Sequence, residues 1–138
     1  MFHYPVEFKL SIEDFSANNL IIANFNSTNL RCDIPKEFNG QARALSPEDY
    51  YMFSMISCFF TTFLKLAGDV GLIFSFKNIS ATSLIDRGEN SKPFVKVVSL
   101  KFEYTTDDTE KFLKLINFTK DNCFILNSVK TEFILDYN

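Results

Sequence analysis

Between Tyr50 and Leu64 the chain runs fifteen residues without a charge, and the flanks of this apolar run carry the signals that open and close a helix. Ser46 can cap the first turn, Pro47 suits the first helical position, and Asp49 stands three residues after Ser46, as in a capping box with Asp in place of Glu. Glu48 and Asp49 favour the positive end of the helix dipole, and Gly68 and Gly71 mark the end. The uncharged run falls short of the roughly 18 residues of a membrane span, so the pattern predicts a central helix buried on most sides. Ser54, Cys58, Thr61 and Lys65 recur on one helical face. A thiol therefore sits in the polar stripe of an otherwise apolar helix.

Upstream, "VEFKLSI" alternates Val6, Phe8 and Leu10 with Glu7, Lys9 and Ser11, which predicts a half-buried strand. "NLIIANF" and "NLRCDI" predict two more, separated by the turn-like "NST", with Leu30, Cys32 and Ile34 on one face. "PKEFNGQARAL" is a loop. Downstream, "GLIFSFKNI" and "PFVKVVSLKFEYT" predict strands, with a short strand and a polar loop in "SATSLIDRGENSK" between them. "DDTEKFLKLINFTKDN" predicts a second helix, capped by Asp107 or Asp108, with Phe112, Leu113 and Ile116 on one face. "CFILNSVK" fits either a strand or a short helix, and "TEFILDY" closes as a strand. This order predicts one α+β domain over residues 1–138.

Composition narrows the partners. A net charge of −3 with scattered lysines argues against nucleic acid and against anionic membranes. Charge appears by position 7, so "MFHYPVEFKL" is expected to be neither a secretory signal nor an anchor, and the expected location is cytoplasmic. The one histidine, His3, lies near the chain end, which disfavours a Ser-His-Asp triad or a His-rich metal site. Three cysteines without a CxxC give no structural zinc pattern, and four glycines form no phosphate loop. No metal or cofactor is expected. That leaves thiols. Taken alone, Cys58 and Cys32 fit inert packing, Cys32 on an inward strand face. Cys123 follows Asn122, where a new short helix would aim N–H groups at the sulfur and lower its pKa.

Two segments together carry a family resemblance. "PKEFNG…SPEDYYMFSMISCFF" resembles the "P-x-E-x-G-G … [ST/N]-P-E-x-L … A-x-C-F" segment of the osmotically inducible protein C and organic hydroperoxide resistance (OsmC/Ohr) family, and "KDNCFILNSVKTEFILDY" resembles its second-cysteine segment. The likeness runs from about residue 25 to the end and keeps a ten-residue step from Glu48 to Cys58. It implies an intertwined α+β homodimer, with antiparallel sheets around a long buried central helix, whose two interfacial active sites reduce organic hydroperoxides. It further implies that Cys58 attacks the peroxide as thiolate and becomes a sulfenic acid, and that Cys123 resolves it to a disulfide within the subunit, leaving Cys32 outside the pair. A dithiol reductant, for which a lipoyl-type group is one candidate, then reopens that disulfide. The family's thiolate is supported by an arginine that the glutamate, here Glu48, holds. This chain has only Arg31, Arg43 and Arg87, none at the N-terminal position of the hydroperoxide-resistance branch. Arg43 is the first candidate and Arg31 the second.

Helix geometry bears on the same point. Ten residues at about 1.5 Å rise separate Glu48 from Cys58 by roughly 15 Å, so a Glu48 that serves Cys58 comes from another subunit. Two copies of so apolar a helix, packed antiparallel, would bring each Glu48 towards the partner's Cys58. The dipole argument favours Cys123 as the first nucleophile, and the resemblance favours Cys58, with Ser54 and Thr61 available to hydrogen-bond its thiolate. A cation outweighs a dipole effect of at most about 2 kcal/mol, so Cys58 is preferred. Two functions stay open: a thiol peroxidase, with some of the 17 phenylalanines lining an apolar pocket, or a weakly active or inactive dimer that senses redox state or binds a small molecule.

Overall fold

Ser46 and Asp49 open the long helix α1, Pro47–Val70, with a reciprocal cap. The Asp49 N–H donates to Ser46 Oγ at 3.1 Å, and Asp49 Oδ2 accepts the Ser46 N–H at 2.9 Å. Gly71, at φ 68°, closes it: the Leu72 N–H reaches the Ala67 carbonyl and the Gly71 N–H reaches that of Gly68, the paired bonds of a left-handed terminus. The computed structural model describes residues 3–12, 20–25 and 28–138, in two units, Met1–Tyr50 and Tyr51–Asn138.

In the second unit, Met55, Phe59, Phe63 and Ala67 recur every four residues along α1 and are wholly buried. They pack with residues of a three-stranded sheet, β3 (Phe74–Arg87), β4 (Pro93–Thr106) and β5 (Glu132–Tyr137), and with the helix α2, Thr109–Asn122. Strand order is β3-β4-β5. β3 and β4 are antiparallel, whereas β5 lies parallel to β4, with Val98 opposite Phe133. The sheet is thus mixed and not purely antiparallel, because α2 and the short helix α3, Phe124–Ser128, return the chain to the end of β4 where it began. Asp108 is the cap of α2, accepting the Lys111 N–H at 3.1 Å, and Phe112, Ile116 and Thr119 face the core. Leu113 is only partly buried.

β3 absorbs "SATSLIDR", so one long strand stands where a strand and a short strand were expected; an irregularity between Lys77 and Ser80, with Asn78 at φ 54°, breaks its period. α1 is long and apolar enough to cross a membrane by length and composition alone. Within the chain, however, only one stripe is wholly buried, with Tyr51, Met52, Ile56 and Phe60 partly buried beside it, while Phe53 is 67% and Leu64 53% exposed. The expected burial on most sides is not supplied by this chain.

In the first unit, β1 (Ile21–Phe25) pairs antiparallel with β2 (Thr28–Cys32), Ile21 opposite Cys32. Asn26 and Ser27 of the expected turn lie outside the described residues. The expected inward face fails, for Leu30 and Ile34 are exposed. β2 ends at Cys32 because the Asp33 carboxylate accepts the Ile34 N–H at 2.9 Å and turns the chain. "VEFKLSI" is also no strand: apart from a bridge at Ser11 it is unpaired, and Phe8 is 83% exposed. Its alternation has no ladder to join among the described residues.

The two glycines at the end of α1 should respond oppositely to a methyl group. A Cβ on Gly68 meets nothing within 4 Å, so Gly68→Ala should stabilise by up to about 1 kcal/mol through helix propensity. Gly71→Ala, at φ 68°, should cost about 1 kcal/mol or more. Urea denaturation of the two variants checks both signs.

Candidate functional site

The buried stripe sets where the thiol of α1 points. Cys58 precedes the wholly buried Phe59 by one residue, about 100° of helix rotation, and so lies half-buried on the flank of the stripe. Cys123 is wholly buried at the junction where α2 ends and α3 begins. The structure brings these two cysteines into hydrogen-bond contact, both as free thiols. A short helix does start at Cys123, and the N–H groups of Leu126 and Ile125 do draw its pKa down. Burial outweighs them. Burial first, then the hydrogen bond to Cys58 and the negative charge of Cys58, push the Cys123 thiol from 9.0 up to about 11. The lowered pKa expected at Cys123 is therefore corrected: Cys123 keeps its proton at neutral pH, as a donor beside Cys58.

Ser54 and Thr61 do not serve as expected either. Ser54 Oγ donates to the Tyr51 carbonyl at 2.7 Å, and Thr61 Oγ1 to the Ser57 carbonyl at 2.8 Å. Each hydroxyl proton is spent on the carbonyls of its own helix.

The first unit holds a cavity of about 430 Å³, whose wall includes Cys32, Asp33, Ile34, Phe38, Arg43 and Glu48. "PKEFNG" shapes its rim. Lys36–Phe38 form a turn of 3-10 helix, Asn39 follows at φ 64°, and Gly40 returns its N–H to the Pro35 carbonyl at 2.9 Å. Asn39 takes a left-handed conformation that Asn tolerates better than most residues, in a motif whose family form has glycine there. At Gly40 the fit is absolute, since a Cβ would lie 2.0 Å from the Ile34 carbonyl oxygen.

Glu48 does not hold Arg43. The arginine lies on Asp33, with Nε at 2.7 Å from Oδ2 and Nη2 at 3.2 Å from Oδ1, and its backbone N–H also donates to Oδ2 at 3.0 Å. The Arg43 guanidinium beside Asp33 holds that carboxyl well below the usual carboxylate range, and Asp33 in turn raises the pKa of Arg43. Glu48 Oε2 is buried with no hydrogen-bond partner among the described residues. Burial pushes the Cys32 thiol up, and the charges of Glu48, Asp33 and Asp49 add to it. Arg31 and Arg87 are exposed, and Arg87 caps the β3–β4 turn through the Ser91 carbonyl. Asp33 is the residue the sequence reading missed; one acidic residue among 17, ten positions from its partner, carries no local signal.

The geometry thus provides a dithiol couple in one unit and an arginine-bearing cavity with an unpaired carboxylate oxygen in the other. Among the described residues no three His, Cys, Asp or Glu side chains gather as a metal site would need. A pH prediction follows from the thiol pair. The folded state holds the Cys123 proton more tightly than an ordinary thiol near 9.0 does, so this group's contribution to stability is present at neutral pH and is lost as pH rises from about 9 through about 11. The wild type should lose stability over that alkaline range more steeply than Cys123→Ala, as denaturant midpoints will show.

Comparisons with known proteins bear on the fold and the family. No curated protein sequence matches the chain significantly. Among solved structures, an OsmC-like protein of unknown function from Vibrio cholerae superposes with a TM-score of 0.83 at 17% identity, over 97% of this chain and 100% of that one. An organic hydroperoxide resistance protein from Elizabethkingia anophelis, crystallised with thiocyanate bound, gives 0.77 at 14% identity over 99% of each chain. The organic hydroperoxide resistance protein OhrB of Bacillus subtilis gives 0.70 at 15% identity, over 96% of this chain and 98% of that one. At these identities the likeness is one of fold. The model of the OsmC-like protein family matches residues 40–138, which include α1, both cysteines of the contact and every strand of the mixed sheet, and the chain accordingly belongs to the OsmC-like family.

Proposed function

We propose that this protein is a cytoplasmic, homodimeric thiol peroxidase that reduces organic hydroperoxides through Cys58 and Cys123. The observation that carries the reading is the proximity of a half-buried and a wholly buried cysteine, both free. Cys58 is the sulfur a substrate can approach. Its thiolate attacks the hydroperoxide O–O bond: an S–O bond forms, the O–O bond breaks, the alcohol leaves as it gains a proton, and the sulfur is oxidised to sulfenic acid. Cys123, which until then donates its proton towards Cys58, attacks the oxidised sulfur; an S–S bond forms and the hydroxyl departs with that proton as water. A dithiol, of which a lipoyl-type group is one kind, reduces the disulfide and is itself oxidised.

A thiolate on an apolar helix needs positive charge nearby. Glu48 and Arg43 of the partner subunit are the groups proposed to meet Cys58, since the helix separates Glu48 from the Cys58 of its own chain. The uncovered apolar face of α1, with Phe53 and Leu64, and the unpaired Val6, Phe8 and Leu10 support a permanent dimer, with an interface above roughly 2,000 Å². A second reading, a dimer that senses or binds with little turnover, is favoured by one observation: Arg43 is committed to Asp33, and Glu48 is left without it.

Peroxide consumption with a dithiol reductant separates the two. The peroxidase reading expects steady turnover in the wild type and none in Cys58→Ser, whereas Cys123→Ser should consume a single equivalent and accumulate sulfenic acid. Turnover by Cys58→Ser would refute the mechanism, and an inert wild type would favour the sensor. Sedimentation should give a dimer at micromolar concentration; a folded monomer there would remove the shared site.

A further inference from the structure

We infer that Asp33 is the positioning residue for the arginine of this site, holding the Arg43 guanidinium by its Nε–Nη2 edge so that Nη1 is left to donate to the reacting group. The inference rests on the peroxidase reading above and assigns to Asp33 the part that the family resemblance gives to Glu48.

Of the four carboxylates within ten residues of Arg43, Asp33, Glu37, Glu48 and Asp49, only Asp33 engages it among the described residues. Asp49 is occupied by the cap of α1, where its Oδ2 accepts from Ser46 N–H and Ser46 Oγ. Glu48 Oε2 is buried with no hydrogen-bond partner among the described residues. Asp33 takes both nitrogens of one guanidinium edge, at 2.7 and 3.2 Å. This is the fork-on-carboxylate geometry that fixes the plane of an arginine, which a lysine cannot reproduce.

Asp33 is also fixed in its own right. Oδ1 accepts the Ile34 N–H, Oδ2 accepts the Arg43 N–H, and the Asp33 N–H donates to the Leu45 carbonyl at 3.1 Å. Its side chain is only 7% exposed, against 28% for Arg43. The carboxylate therefore cannot swing with the arginine; the arginine is oriented by it. Among the described residues no hydrogen bond engages Nη1. That edge remains to donate to a thiolate or to the oxygen of a hydroperoxide, and both residues line the same cavity.

The pairing has an electrostatic consequence. Arg43 with Asp33 is formally neutral, and Glu48 adds a negative charge to the same wall, so the site offers a thiolate little net positive field. What it offers is directed N–H groups. Orientation, and not charge alone, should then decide the rate of the first step.

The test measures the single-turnover reaction of Cys58 with an organic hydroperoxide and the pH profile of its alkylation, with stability followed separately by denaturation. Arg43→Ala should slow the first step by about 100-fold and move the alkylation profile to higher pH. Asp33→Asn should slow it by about tenfold or more through loss of the orienting partner, even though it leaves the Arg43 charge uncompensated and so does not move the profile to higher pH; Asp33→Glu should recover part of the rate. Arg43→Lys keeps the charge and removes the fork, and should resemble Arg43→Ala. It serves equally well if Asp33→Asn proves unfolded. An Arg43→Ala protein that reacts like the wild type would defeat the peroxidase site itself. With Arg43→Ala impaired, a wild-type rate in Asp33→Asn or in Arg43→Lys would overturn the role of Asp33. A larger loss in Glu48→Gln than in Asp33→Asn would overturn it too, by returning the arginine to Glu48.

Discussion

One packing constraint governs the thiol site: the stripe of Met55, Phe59, Phe63 and Ala67 can face the core in only one rotation of α1. Each large side chain in it is wholly buried, which is worth roughly 1.5–3 kcal/mol apiece, so turning the helix by a single residue would forfeit several such terms at once. The same cluster reaches the other cysteine. The Phe63 ring meets Phe112 of α2 edge-on at 5.2 Å, and Tyr104 stacks on Phe112 at 4.1 Å. Phe112 and Ile116 then fix the face of α2, and the end of α2 fixes Cys123. Two cysteines 65 residues apart are thus brought together by the aromatic packing of the helices that carry them.

That arrangement also divides the chemistry between the two thiols. At Cys123, helix N–H groups and burial act in opposite directions, and the result shows their relative size: a pKa near 11 in spite of the favourable amides. A helix of five residues has a weak dipole, and complete burial removes the solvent that would stabilise the anion. Cys58, on the flank of its stripe, keeps contact with solvent. The difference between a sulfur that can receive a substrate and one that stores a proton comes down to burial: Cys58 sits beside a buried stripe, and Cys123 lies wholly inside.

The elements were legible where the local pattern alone decides them. The cap at Ser46, the termination at Gly71, the cap at Asp108 and the strand nature of "TEFILDY" all follow from residues within a few positions of one another. Other features depend on distant partners and were not legible. "VEFKLSI" has the alternation of a strand, but a strand also needs a neighbour. Cys32 and Ile34 have the spacing of a common face, but the Asp33 side chain captures the Ile34 amide and ends the strand between them. In the site, the cysteine pair was legible because two motifs carry it, whereas the choice of Asp33 over Glu48 is made by a loop closure that sequence spacing does not encode.

The two unmet needs of this chain have one physical form. The thiol-bearing helix leaves apolar side chains uncovered, Phe53 and Leu64 among them, and in the first unit the buried Glu48 Oε2 accepts no hydrogen bond from the described residues. An apolar face of this size seeks another apolar face, and a buried acceptor seeks a donor. The apolar face would be covered if a second copy presented its own α1, and that helix also carries the cysteine, ten residues on from Glu48. Under the proposed dimer, stability and chemistry are then coupled through a single contact. The burial that makes the helices associate is also what brings a cation to the thiolate, and neither would be complete in a chain on its own.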